Sequence, residues 1–369
     1  MLFIALKNLL QEKTRLLISV GGVAFSVLLI LILLGLYQGF KYRMGEYIQS
    51  QEADFWIGDD KARDMFHSVS ILPLEMKEKI ESIDGVEKAE PFLSRQVVVD
   101  VGDTPEATYL VGYDKETGAG GPSKMVDGKG APEEGEIIVD KVFADNQKLS
   151  IGENLKIGED GFKVVGISEG TNLVTFQYSF ISRADAERIF NMRSSTSYFL
   201  IRTTPGADEE LIHRKLSDNI KGITVFSKEE FIERNTEFIE ETFLPIVAVL
   251  LVIGFVVGVI VIGLTIFTST IEKSREYGVL KAIGVGNLQL YQIVFAQSLF
   301  AGLVGFLLGS ALALVVNFGV VRLVPEFITL FRPFDFIWIL LASIVMSLIA
   351  TYIPIRRIAN INPAEVFKG

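Results

Sequence analysis

Cysteine is absent from this 369-residue chain, and histidine occurs only twice, at His67 and His213. Without cysteine there is no disulfide framework, thiolate metal site, cysteine nucleophile or lipidated cysteine. A domain large enough to bury a full core needs no such covalent staples. Two isolated histidines supply neither an H-E-x-x-H motif nor any paired-imidazole spacing for a metal. Ser68 and Ser70 beside His67 read as surface polar residues, because closeness in sequence makes no catalytic triad. No G-x-x-x-x-G-K-[ST] occurs; the only Gly-Lys pair is Gly128-Lys129, and Gly130 follows it. The chain therefore has no P-loop for ATP. With no catalytic constellation in view, it is read as a non-enzyme that binds no cofactor or metal itself.

Charge is missing from four long runs: Leu16 to Phe40, Thr242 to Ile271, Ala282 to Val321 and Phe336 to Ile355. A helix crosses a bilayer with about 20 mostly apolar residues, and ionised groups are costly in hydrocarbon. Each run meets that test. The first residues of the third run, with Gly284, Gly286, Asn287 and Gln289, belong with the connector before it. The spans are thus expected at 16–40, 242–271, 288–321 and 336–355. The first is longer than a signal-peptide apolar region of about 7–15 residues, and no small-x-small site follows, so it reads as an uncleaved span. Ion- and proton-coupled carriers mark their path with charged residues inside the membrane. None is present here, so energy has to arrive from elsewhere.

Lysine and arginine then set the orientation. Lys7, Lys13, Arg15, Lys273, Arg275, Lys281, Arg356, Arg357 and Lys368 fall on one side; the connector 322–335 has only Arg322 and Arg332. Both termini and the connector 272–287 are therefore expected in the cytoplasm, and residues 41–241 outside a cell (inner or plasma) membrane. That outer segment holds 24 Lys plus Arg against 39 Asp plus Glu, a balance of −15. Such acidity argues against nucleic acid as a partner; otherwise it is an ordinary solvated surface.

The outer segment has two textures. "DFWIG", a helix at "PLEMKEKIESI" and "RQVVVDV" form a β-α-β unit near its start; "TSYFLIRT", "DEELIHRKLSDNI" and "GITVFS" form another near its end. The two units (52–102 and 183–227) pair into a split, ferredoxin-like α/β sheet. Residues 103–182, rich in glycine and short strands, form a β-rich insertion between them, with "GAGGPSKMVDGKGAPEEGE" as its loop. Residues 41–51 and 228–241 continue the flanking spans as a helical stalk. At the N-terminus (1–15), Leu2, Phe3, Leu6, Leu9 and Leu10 share one helical face, as in an amphipathic helix on the inner leaflet or one packed against the spans. The fold class is thus an α-helical membrane protein with four transmembrane helices and a large α/β extracytoplasmic domain between the first two.

Small residues recur at spacing four inside the spans: Gly254 and Gly258 in the second, Ala301, Gly305 and Gly309 in the third. Such stripes let helices approach closely, within one chain or between two. The connector "EKSREYGVLKAIGVG" is the most shaped of the short segments. Gly278 is expected to break the helix leaving the membrane, "VLKAI" to form a short second helix, and Gly284 to end it. Val279, Leu280 and Ile283 make its apolar ridge; Arg275, Glu276 and Lys281 ring it. Such a helix suits a groove in a partner protein, or equally the lipid surface.

"TIEKSREYGVLKAIGVGNLQLYQIVFAQSL" resembles the FtsX-like permease domain of the MacB/FtsX/LolC class of ABC transporter membrane subunits. Glu272, Arg275, Glu276, Gly278, Leu280, Lys281, Ala282 and Gly284 match that class's segment after the second span. The tail "YIPIRRIANINPAEVFKG" is similar to its closing pattern through Pro354, Arg356, Arg357, Pro363 and Glu365. "ALKNLLQEKTRLLISVGGVAFSV" and "EGEIIVDKVFADNQKLSIGENLKIG" resemble its N-terminal start and outer domain. The members without a fused ATPase domain fit best.

The resemblance implies a mechanism. Two permease chains, alike or different, pair in the bilayer, and each takes a separate ATP-binding cassette ATPase, which holds the ATP and magnesium. Residues 272–287 would couple ATPase motion to the spans and on to the outer domain. Further partners would be a membrane-fusion adaptor protein or an extracytoplasmic hydrolase. Two functions remain: export or extraction of a peptide, lipid-linked or small hydrophobic substrate, and FtsX-like signalling that activates an outer hydrolase without transport. The full two-part outer domain favours the first.

Overall fold

The computed structural model describes residues 12–66, 69–102, 104–172, 177–323 and 328–360. Most of the expected N-terminal amphipathic helix, His67, and the tail residues Pro363 and Glu365 lie outside the described residues. In chain order the elements begin with α1 (Lys13–Ser50), β1 (Phe55–Asp59), β2 (Leu72–Pro73), α2 (Met76–Glu81), β3 (Val86–Val101), β4 (Thr104–Tyr113), β5 (Met125–Gly128) and β6 (Glu136–Asp140). Then come α3 (Lys141–Gln147), β7 (Asn154–Ile157), β8 (Asp160–Ser168), β9 (Gln177–Ser182), α4 (Arg183–Ile189), β10 (Ser195–Thr196), β11 (Tyr198–Thr203), α5 (Glu209–Asn219) and β12 (Ile223–Ser227). The chain closes with α6 (Lys228–Glu272), α7 (Ser274–Ala282), α8 (Asn287–Leu323), α9 (Pro333–Ala350) and α10 (Tyr352–Ala359). It divides into two compact units, Met1–Gln38 with Phe243–Gly369, and Gly39–Thr242.

In the second unit, strands β12, β1, β11 and β3 lie side by side and antiparallel. With α2 between β1 and β3, and α5 between β11 and β12, this is the expected split ferredoxin-like arrangement. β1 is central, so it is buried on both faces and reads as the unbroken apolar run "FWIG". Its alternation sends Phe55 and Ile57 toward Ile80 of α2 and Ile212 and Leu216 of α5. Trp56 points the other way, into a cluster with Tyr47 and Ile48 of α1 and Phe231 of α6. The residues expected as a stalk thus pack on the sheet. There α1 and α6 run close: Gly45 faces Ile232 with room for no further carbon, and Lys41 pairs with Glu240.

The β-rich insertion does not start a sheet of its own. β3 pairs with β11 along Val86 to Phe92 and with β4 along Leu93 to Val101. The expected strand "RQVVVDV" is only its second half. Pro91 does not interrupt it, because β4 begins to pair only at Leu93 and the strand is bonded on one side until then. From β4 the pairing runs through β9, β6 and β8 to β7, which returns to β3 at Asp100 and Lys156. This ring of six strands encloses a second core that includes Leu110, Ile137, Val139, Leu155, Phe162 and Val164. A further difference concerns Pro73. It lies in β2, opposite Ser195, and the helix starts later, at Met76.

Among the described residues, four helices are long and apolar enough to cross a membrane. The core of the first unit includes Val23, Val27 and Leu31 of α1, Ile262 and Ile266 of α6, Ile293 and Val294 of α8, and Ile339 and Met346 of α9. Asp335 starts α9 by accepting the Arg332 backbone N–H at 2.9 Å, with Pro333 in the first turn. Phe334 and Trp338 stand exposed beside it, ring centres 5.7 Å apart, as aromatics do at a membrane surface. Thr351 separates α9 from α10, which carries Arg356 and Arg357.

Candidate functional site

The connector between the second and third spans is built by local rules. α6 ends at Glu272, and after Lys273 the chain turns directly into α7. The break therefore falls at Lys273, not at Gly278 as the sequence suggested. Gly278 sits inside α7 and is buried. A knot of charge gathers at this break. Lys273 reaches Glu12 at 2.9 Å, Glu12 also holds Arg15 at 2.7 Å, and Arg15 pairs with Glu272. Ser269 donates to Glu12 at 3.2 Å. Burial works against the Glu12 carboxylate, but the hydrogen bonds from Lys273 and Arg15 outweigh it and leave its pKa below the ordinary value. The start of α1 is thereby tied to the root of the connector.

The far end of α7 is closed by a Schellman motif. Val285 N–H donates to Leu280 at 3.0 Å and Gly284 N–H to Lys281 at 3.1 Å, with Gly284 at φ +96°. Gly284 is thus a helix terminator, since a side chain there would be strained.

Between these ends the ridge splits. Tyr277 is buried, which pushes its phenol up to about 12. Leu280 and Val285 pack against the core of the helical unit. Lys281, expected on the charged rim, turns the other way. Its Nζ donates to the carbonyls of Ile358 at 2.7 Å and Ala359 at 3.1 Å, capping the end of α10. Arg275 and Glu276 remain exposed. So do Val279 (41%) and Ile283 (72%), one turn apart, and Leu288 (70%) at the start of α8. Leu288 was not singled out from the sequence; its signal was an apolar residue amid Asn287 and Gln289. Glu12 and Arg15 were also missed as partners of this segment, because nothing in a linear pattern joins them to Glu272 and Lys273.

The small residues of the spans approach their neighbours closely. A carbon added at Gly305 would lie 2.5 Å from Val23 Cβ, and one at Gly309 would lie 2.5 Å from the Ala24 carbonyl oxygen, both on α1. Gly258 faces Met346 and Ser26, Gly254 faces Ile30, and Ala301 is fully buried. Neighbouring Gly302 lets the Ser343 hydroxyl donate to its carbonyl at 2.9 Å, joining α8 to α9. These contacts are within one chain.

His213 Nε2 lies 3.0 Å from the Val225 carbonyl oxygen, which can only accept, so that nitrogen carries the proton. His67 lies outside the described residues.

Comparison with known proteins bears on both units. Residues 16–218 match the MacB-like periplasmic core domain, and residues 248–363 match the FtsX-like permease C-terminal domain. An uncharacterized ABC transporter permease of Mycobacterium tuberculosis is 24% identical over 374 residues, covering 100% of both chains. One of Methanocaldococcus jannaschii is 23% identical over 421 residues, covering 99% of this chain and 96% of its own. The crystal structure of the periplasmic region of MacB from Actinobacillus actinomycetemcomitans aligns at a TM-score of 0.39 and 12% identity, over 52% of this chain and 95% of its own.

Proposed function

The chain belongs to the FtsX- and MacB-type ABC transporter permeases, and on that footing we propose that it passes the ATP-driven motion of a separate ATP-binding cassette subunit to its outer domain. The observation that carries this reading is α7. One side of it is anchored through Tyr277, Leu280 and Lys281, while Val279, Ile283 and Leu288 stay exposed beside Arg275 and Glu276. Leaving that much apolar surface in water is unfavourable unless a partner or lipid covers it. An anchored helix with an apolar ridge is fit to take a push, because force on the ridge reaches α6 through Lys273 and α1 through Glu12. α6 runs in chain order from Lys228 to Glu272 with Pro245 inside it, and is the segment that leads from the outer domain to α7. The substrate class is a peptide, a lipid-linked molecule or a small hydrophobic compound, moved by the outer domain of a paired permease. ATP and magnesium sit on the ATPase.

Substitution of both Val279 and Ile283 by aspartate tests the contact. Burying a valine or isoleucine side chain is worth about 1.5–3 kcal/mol, so losing two is expected to weaken ATPase binding by at least about 100-fold. Copurification from native membranes should disappear, while the exposed positions let the variant insert and elute normally. Undiminished copurification and ATPase stimulation would rule the ridge out as the docking surface. Orientation is tested by single cysteines in this naturally cysteine-free chain. An impermeant maleimide added to intact cells is expected to label Lys115→Cys, which is exposed, and to reach Arg275→Cys only after permeabilisation. The reverse pattern would place the outer domain in the cytoplasm.

A further inference from the structure

An apolar groove of about 740 Å³ lies between α6 and the α9–α10 corner. Val259, Gly263 and Phe267 form one wall, and Ile349, Tyr352 and Ile353 the other. Gly263 gives it depth, for without a side chain there the wall recedes to the backbone of Ala350. The volume falls within the roughly 300–1,000 Å³ of ligand pockets. One end of the groove is charged. Tyr352 carries the Arg356 guanidinium over its ring, 4.7 Å from the centre. Arg356 and the adjacent Arg357 are both exposed, and neither has an ion pair among the described residues.

We propose that this groove binds a phospholipid with an anionic headgroup, an acyl chain lying between Gly263 and Ile349 and the phosphate at Arg356 and Arg357. The charge decides the occupant. Basic pockets beside transmembrane helices attract anionic headgroups, and guanidinium groups bind phosphate oxygens in a fixed fork. A second copy of this chain docked here across a two-fold axis would bring the same pair of arginines toward the first, placing like charges together. A lipid brings the opposite charge and a chain that fits the apolar walls. The groove is lined by α6, α9 and α10, and no residue lining it belongs to α7.

The test uses the full-length protein in mild detergent, titrated with phosphatidylglycerol or with phosphatidylcholine of the same acyl chains and read by native mass spectrometry. The wild type is expected to retain phosphatidylglycerol about tenfold more tightly than phosphatidylcholine. Arg356→Gln with Arg357→Gln should erase that preference. Ile349→Trp, at a half-exposed position, should fill the groove and lower retention of both lipids at an unchanged melting temperature. Unaltered preference in the double variant, or unaltered retention in Ile349→Trp, would overturn the proposal. So would complete disulfide formation between two copies of Leu264→Cys in native membranes, since a second chain would then occupy the groove.

Discussion

Gly309→Leu is expected to cost the helical unit at least about 1–3 kcal/mol, the range for forcing extra carbon into a packed core. The added carbon would lie 2.5 Å from the Ala24 carbonyl oxygen and 2.7 Å from Val27 Cβ. The first neighbour is backbone and cannot rotate away. Helices α1 and α8 would have to separate, and in lipid no hydrophobic force opposes that separation, because association there rests on close packing itself. The loss should appear as a lower melting temperature in detergent and a smaller folded yield. Gly319→Leu provides the control, since nothing stands within 4 Å of Gly319 in the same helix. Equal melting of the Gly309 variant and the wild type would mean that α8 does not pack on α1 in this way.

Trp56→Ala should be still more damaging, at about 3–5 kcal/mol for a fully buried large aromatic. Trp56 has no exposed surface. Its ring stacks on Phe231 with centroids 4.7 Å apart and meets Phe92 edge-on at 5.1 Å. Phe231 belongs to α6 and Phe92 to the half of β3 that pairs with β11, so the indole joins a helix to the sheet. Removing it opens a cavity whose walls are strands and helices that cannot collapse into it. Limited proteolysis of the full-length chain should then cut residues 39–242 far faster than in the wild type. Trp56→Phe keeps most of the contact area and should retain most of the resistance. An alanine variant as protease-resistant as the wild type would show that this cluster does not hold α6 to the sheet.

The four spans and the two β-α-β units were readable because each is written in local pattern: apolar length for the spans, and alternation with caps for the units. Asp208 before α5, whose carboxylate accepts the Leu211 N–H at 3.1 Å, is such a cap. The course of β3 was not readable. Its two halves bond different neighbours, and a strand's pattern records which face is buried but not which strand lies beside it. The closing of six strands into a ring rests on a pairing between Asp100 and Lys156, far apart in sequence. The same limit applied at the connector. The helical period put Val279, Leu280 and Ile283 on one ridge, yet Leu280 turns to the chain's own core while the other two stay exposed. Apolar character says that a residue will be covered, not by what. Lys281 shows the converse: a lysine that reads as a solvated rim charge caps the end of another helix. Spacing announced close approach at Gly305 and Gly309, but only the folded chain names α1 as the neighbour.

The shared strand β3 also sets an order of assembly. Its second half is separated from β4 by only two residues in sequence, so once the segment is outside the membrane that local pairing has the least chain to close. Its first half waits for β11, and β1 waits for both β11 and β12, more than a hundred residues later. The ring of strands can therefore be built while the ferredoxin-like half still lacks two of its four strands. Until then β1 and the first half of β3 present unpaired edges and the bare faces of Trp56 and Phe92. The emerging domain is most exposed to wrong pairing until β11 and β12 have joined the sheet.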